Sequence, residues 1–204
     1  MDTKQRILDC AMALFSKKGF NGVSIREIAK AVGIKESSIY NHYAGKQAII
    51  DEICSRFAQS LAFAHPPLSQ VEEMLSNMKP REVFQSFIRS YGGSINPQIA
   101  QMAKIVFSEQ FHHENVRRIF VGQFVENSAR YYSEVLALMI RKGRIRPCNK
   151  VLIAHLFNNG QLSLSMQFAQ CQTKEESRQI VGRMLESADF LIGMLEAEPT
   201  NVGQ

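Results

Sequence analysis

Tryptophan is absent from this chain of 204 residues, which has four cysteines and six prolines, and its apolar run VLALMI at 135–140 stops at six residues. A membrane-spanning helix needs about 18 consecutive apolar residues, so none is expected and no membrane partner follows. Cys10, Cys54, Cys148 and Cys171 lie far apart with no CxxC pair, which argues against a zinc finger or a disulfide framework and suits a reducing compartment. Charges run through MDTKQRILDC with no apolar core, so no secretory leader is read there and a cytoplasmic protein is expected. HExxH, GxSxG, the P-loop and the dinucleotide fingerprint are all missing. His112 and His113 with Glu109 and Glu114 could suggest a metal site, but adjacent histidines point to different faces of a helix, which is poor geometry for one metal. The expectation is a protein that is not an enzyme and carries no metal or cofactor.

What is present is unevenly charged and helical. Residues 1–50 hold eight Lys/Arg against four Asp/Glu, while residues 51–204 hold sixteen against fifteen. The excess positive charge therefore sits in the first quarter, which suggests a polyanion partner for that part alone. Ile7, Leu8, Ala11, Leu14 and Phe15 recur at three- and four-residue steps on one face of a first helix, closed by Lys17-Lys18-Gly19. Ser24 and Glu27 have capping-box spacing at the start of a second helix whose apolar face is Ile25, Ile28, Ala29 and Val32. Gly33 permits a tight turn into a third helix over about 35–43. A fourth runs over about 46–64, and His65-Pro66-Pro67 ends it. Further helices are expected at 69–77, from Pro80 to Gly92-Gly93, from Asn96-Pro97 to about His112, and over 114–142, 149–171 and 174–197. No strand-like alternation appears. The fold class is all-α, with a three-helix helix-turn-helix head (1–46) joined by a long helix to a larger helical body (47–204).

Two short helices meeting at a glycine turn, covered by a preceding helix, make a helix-turn-helix, whose second member enters the DNA major groove. Within 35–43 only Ile39 is plainly apolar. With Ile34 it can anchor the helix, leaving Lys35, Glu36, Ser37, Ser38, Asn41 and His42 for base edges or phosphates. Tyr40 and Tyr43 offer apolar bodies with a hydroxyl at the tip.

The run VSIREIAKAVGIKESSIYNHYAGKQAI resembles the DNA-binding signature of TetR-family transcriptional regulators. The likeness rests on the capped second helix, the Ala-x-x-Val-Gly-Ile turn, the Ile39-Tyr40 pair, Tyr43, and Lys46 opening a long fourth helix. Lys35, Gly45 and Gln47 depart from the usual pattern, and the first leaves the third helix without a strong cap. The resemblance implies phosphate contacts from Tyr40, His42 and Lys46, with Ser24 and Arg26 at a helix N-terminus doing likewise. It implies base contact from Lys35, Ser37, Ser38 and Asn41. It further implies a homodimer on paired half-sites, acting as a repressor on double-stranded DNA.

The final helix carries apolar residues over more than one face, which needs burial on two sides. Leu152, Leu156, Phe157, Gly160, Leu164, Phe168, Met184, Ala188, Leu191 and Leu195 are the candidate dimer interface, with an intrachain core as the alternative. The resemblance also implies an effector pocket in the Phe- and Met-rich middle. Phe84, Phe87, Tyr91, Met102, Phe107, Phe120 and Phe124 are its candidate walls, and Gln123, Asn127, His155 and Asn158 its polar handles, for an apolar or amphipathic small molecule of unknown identity. Two other readings stay open: a helix-turn-helix used for protein contact, and a redox sensor built on a cysteine.

Overall fold

A computed structural model of the chain describes residues 2–62, 65–94 and 97–196, leaving the side chains of 61, 62, 91–94 and 97 aside. The protein is all-α, and its described residues contain no strand beyond one antiparallel bridge between Ile145 and Glu196. No helix among them is long and apolar enough to cross a membrane. The chain divides into two compact units, Met1–Ala62 with Ile95–Gly122, and Phe63–Ser94 with Gln123–Gln204.

The first unit is built from α1 (Thr3–Lys18), α2 (Ile25–Val32), α3 (Glu36–Tyr40), α4 (Lys46–Ala62), α7 (Pro97–Glu109) and α8 (Glu114–Ile119). Its local chemistry follows the sequence closely. Gly19 ends α1 at φ 72° and Gly33 ends α2 at φ 78°, a left-handed conformation that glycine adopts without penalty. Ser24 and Glu27 form the reciprocal capping box. Lys35 gives α3 no side-chain cap, and that helix is one and a half turns long rather than the expected nine residues. Ile7, Leu8 and Ala11 of α1, Ile28 of α2, Ile39 of α3 and Ile49, Ile50, Ile53 and Phe57 of α4 are almost wholly buried. Ile105 and Val106 of α7 and Val116 of α8 are buried in the same unit, so the head shares its compact unit with α4, α7 and α8.

The second unit holds α5 (Leu68–Asn77), α6 (Pro80–Ser94), α9 (Ser128–Arg141), α10 (Lys150–Phe168) and α11 (Lys174–Gly193). Aromatic rings fill its centre. Phe84 meets Phe157 edge-on at 4.9 Å, Tyr132 meets Phe157 at 4.9 Å, and His65 stacks on Tyr131 at 4.3 Å. The turn Gly143–Pro147 is clipped down by Arg144 to the Met78 carbonyl (3.0 Å) and by the Arg146 amide to the Leu195 carbonyl (2.8 Å). Arg81 reaches Glu196 through Nη2 at 2.6 Å and Nε at 3.0 Å.

One expectation is corrected. The helix expected to run unbroken over 114–142 changes register at the π-helical segment Phe120–Asn127. A π turn leaves carbonyls to be satisfied differently from those of an α-helix. Asn158, buried in α10, donates its side-chain amide to the carbonyls of Phe124 (2.8 Å) and Val125 (3.3 Å), and the Ser128 hydroxyl donates to Gln123 (3.0 Å). Apolar spacing cannot reveal this, because the partner lies on another helix.

Candidate nucleic-acid interface

Three short elements build the candidate surface: the N-terminus of α2, the whole of α3, and the turn into α4. Because α3 has few positions, burying Ile39 turns Lys35, Ser37, Tyr40 and Asn41 to solvent, with Ser38 and His42 half-buried. Tyr40 is the most telling, since an apolar ring that is 54% exposed gains nothing from the core and is free to meet another surface. Ser24 and Arg26 are exposed at the start of α2. There, hydrogen bonds from Lys18 and then Ser24 hold the Glu27 carboxyl down to about 2, so the capping box stays charged at neutral pH.

Two residues of the sequence-derived set sit differently from the rest. Tyr43 is buried with Ile39 and Ile50, the Lys4 ammonium lying 5.3 Å from its ring. Burial first, and the neighbouring Glu52 carboxylate second, push its hydroxyl above the ordinary tyrosine range. Lys46 folds back onto the loop between α1 and α2. Its Nζ donates to the carbonyls of Phe20 (2.7 Å) and Val23 (2.8 Å) and rests 4.1 Å from the centre of the Phe20 ring. Two of the three ammonium donors are thereby taken up inside the protein.

Residues that the motif does not contain complete the support. Arg6 donates to the Val32 carbonyl at the end of α2. Glu109, 89 residues along the chain from Phe20, accepts its amide N–H at 3.0 Å. His113 packs edge-on against the Phe20 ring at 4.4 Å. In the sequence Glu109 and His113 stand out only as members of a dismissed metal site, and their partner here, Phe20, is distant in sequence. Cys54 is buried in this unit too. Burial chiefly, with Asp51 and Glu109 adding, pushes its thiol up to about 12, which makes it unreactive at neutral pH.

The other candidate residues divide between the units. Met102 and Phe107 are buried in the first, where the Phe107 and Phe120 rings meet edge-on at 6.1 Å. Phe84, Phe87, Phe124 and Asn158 are buried in the second. Asn127 and His155 are exposed, Asn127 donating to Gln123 at 3.1 Å. The side chain of Tyr91 lies outside the described residues. Of the candidate dimer residues, Leu152, Leu156 and Gly160 are exposed on α10. Phe157, Met184 and Ala188 lie in the core of their own chain, while Leu164, Phe168, Leu191 and Leu195 are partly buried against that core. Exposed Val151, which the sequence did not mark, joins the open set, as do Phe190 and Met194, which belong to the apolar girth of the final helix expected to need burial on two sides. The last two stand four residues apart at the C-terminal end of α11, Met194 as its C-cap in helical conformation, and so share a face.

The family model described as bacterial regulatory proteins of the tetR family matches residues 7–53. The uncharacterized HTH-type transcriptional regulator YerO of Bacillus subtilis is 31% identical over 87 residues, covering 43% of this chain and 29% of YerO. The chain thus spans less than a third of that relative's length. The HTH-type transcriptional repressor KstR2 of Rhodococcus jostii is 23% identical over 156 residues, covering 76% of this chain and 73% of the repressor. A Saccharomonospora viridis protein described as a transcriptional regulator, solved in complex with choline, matches with a TM-score of 0.69 at 18% identity, covering 96% of this chain and 98% of that one. At that identity the likeness is one of fold.

Proposed function

This chain belongs to the TetR family of bacterial regulatory proteins and is a transcriptional regulator rather than an enzyme, and from that premise we propose that it is a homodimeric repressor released from DNA by a small molecule. The observation that carries the DNA reading is α3. Its apolar anchor Ile39 is fully buried while Lys35, Ser37, Tyr40 and Asn41 are all exposed. Lys35, Ser37, Ser38 and Asn41 are the proposed base readers, and Tyr40, His42, Ser24 and Arg26 the proposed phosphate contacts. Tyr43 acts from the core. Lys46 acts through the loop it holds, with the backbone amides at the α4 N-terminus meeting a phosphate.

A second copy is the proposed cover for Val151, Leu152 and Leu156 of α10 and Phe190 and Met194 of α11, each more than half exposed. Leaving five such side chains in water is unfavourable by roughly 25 cal/mol per Å² of apolar area. Such heads pair on half-sites about one helical turn, ~34 Å, apart. The effector reading rests on the aromatic centre of the second unit, where Phe84, Phe87, Tyr131, Tyr132, Phe157 and His65 gather. Such rings suit an apolar or amphipathic molecule. The choline-bound neighbour supports small-molecule binding by this fold.

The test is selection of bound duplexes from a random library at physiological salt, with light scattering on the free protein. Enrichment of a short inverted repeat, from a protein of twice the chain mass, is the expected result. Indiscriminate retention that vanishes as salt rises would overturn the regulatory reading. Charging the open faces, as in Leu156→Glu with Phe190→Glu, is expected to yield monomers.

A further inference from the structure

We infer that Glu109 is a positioning residue for DNA contact, acting on the helix-turn-helix through Phe20 and Lys46; this rests on the DNA reading above. Phe20 is held at both of its backbone polar groups by side chains of opposite charge. The Glu109 Oε1 accepts its N–H at 3.0 Å, and the Lys46 Nζ accepts no proton but donates to its C=O at 2.7 Å. The same ammonium donates to Val23, the residue before the Ser24 cap of α2. The start of α2, with Arg26, is therefore tied to the start of α4, and the loop that ties them is held in place from the end of α7.

The geometry around the carboxylate is closely set. Glu109 is 6% exposed, and its Oε2 lies 3.5 Å from the His113 Nε2. A Cβ at Gly19 would stand 3.4 Å from Oε1, an ordinary van der Waals distance, so the demand for glycine there is conformational and comes from its φ of 72°. A buried carboxylate is a poor way to gain stability, because an apolar replacement of similar shape is often neutral or better. What a carboxylate adds here is direction, since it fixes where one particular N–H must lie. Loss of that acceptor leaves the Phe20 amide buried and unpaired, and the loop moves to rehydrate it. Arg26 and the α4 N-terminus then lose their mutual spacing.

The experiment titrates the duplex enriched by the selection above, over a range of salt, with the wild-type chain, Glu109→Ala, Glu109→Gln and Lys46→Met. Glu109→Ala is expected to weaken binding by about tenfold and to flatten the slope of log K against log salt by about 0.9, one phosphate contact. Glu109→Gln keeps an acceptor for the Phe20 amide and is expected to stay within about twofold of wild type. Lys46→Met, which removes the other tie on Phe20, is expected to flatten the slope by about one contact, that of Arg26. A merely destabilising change would lower the folded fraction and leave the slope of the remainder alone. An unchanged slope in Glu109→Ala therefore overturns the inference. Should that variant not fold, Glu109→Asp retracts the carboxylate by one methylene and is held to the same slope criterion. A wild-type chain with no salt-dependent, sequence-selective binding would instead remove the DNA reading itself.

Discussion

The two units place their side-chain bonds to backbone differently: the first uses them at the starts and ends of the helices of the candidate surface, the second at the turn after α9 and at the π-helical segment. In the first, charged side chains reach across to backbone groups: Arg6 to Val32, Lys46 to Phe20 and Val23, Glu109 to Phe20. Its core, in which Phe15 and Phe57 are buried among the aliphatic residues, is nearly sealed, and the surface offered by α3 is mostly polar. In the second, aromatic rings pack edge to face, and the open surface on α10 and α11 is apolar. Directional bonds to backbone fix where a helix begins, which the proposed match to phosphate spacing would require. Ring packing fixes the volume of the second unit, and the apolar residues left open on its surface are where the proposed second copy would sit.

The most forceful way to break this contrast is Phe84→Ala. Phe84 is fully buried and its ring meets those of Phe87, Tyr132 and Phe157. Truncation is expected to cost about 3–5 kcal/mol in urea unfolding followed by circular dichroism. A loss below about 1 kcal/mol would mean that the rings are not what holds the second unit.

A gentler change sharpens the contrast from the other side. Ser24→Ala removes the capping hydroxyl that accepts from the Glu27 amide at 3.2 Å. It is expected to cost about 1 kcal/mol, and, because Ser24 is exposed at the proposed DNA surface, to weaken operator binding beyond that loss. A melting shift with unchanged affinity would restrict Ser24 to capping.

The smallest effect is a pH dependence confined to the second unit. Burial lowers the His65 pKa below its ordinary 6.5, with the ring stacked on Tyr131 and its Nε2 3.4 Å from the Tyr132 hydroxyl. Above that value both folded and unfolded states are neutral here and stability is at its full level. As pH falls through the ordinary value towards the lower folded one, the unfolded chain takes up the proton first, so stability is lost. Urea midpoints at pH 8 and pH 5.5 are expected to differ more for wild type than for His65→Phe. Equal differences would exclude His65 as the source.

How much the sequence disclosed also follows the division between units. The helix-turn-helix is a local device: cap, glycine turn and apolar anchor all fall within 24–49, so Ser24, Gly33 and Ile39 declared their roles without knowledge of the rest. Lys46 was legible as a member of the signature. Its turn inward to Phe20 and Val23 was not, because the carbonyls it meets are defined only once α1 and α4 have packed. Glu109 stood out only beside His112 and His113 as a dismissed metal site, and its bond to Phe20 was out of reach for the same reason at longer range. In the second unit the apolar girth of α11 raised the expectation of burial on two sides. It could not say that Met184 and Ala188 face their own chain while Phe190 and Met194 face outward. Nor could 3.6-residue spacing forecast the π-helical segment, which depends on an asparagine of α10.

The clipped turn between α9 and α10 has a consequence for how the protein survives handling. Arg141, Lys142, Arg144 and Arg146 are crowded into six residues, a stretch that trypsin would normally find first. Cleavage needs several residues to peel away and extend in the protease, so accessible charge is not enough. Here Ile145 is buried, Lys142 pairs with Glu72, Arg144 and Arg146 are bound to backbone carbonyls, and Pro147 follows the last arginine. The most basic segment of the second unit is therefore expected to outlast less charged loops under limited digestion, leaving α9 and α10 joined in the surviving fragment.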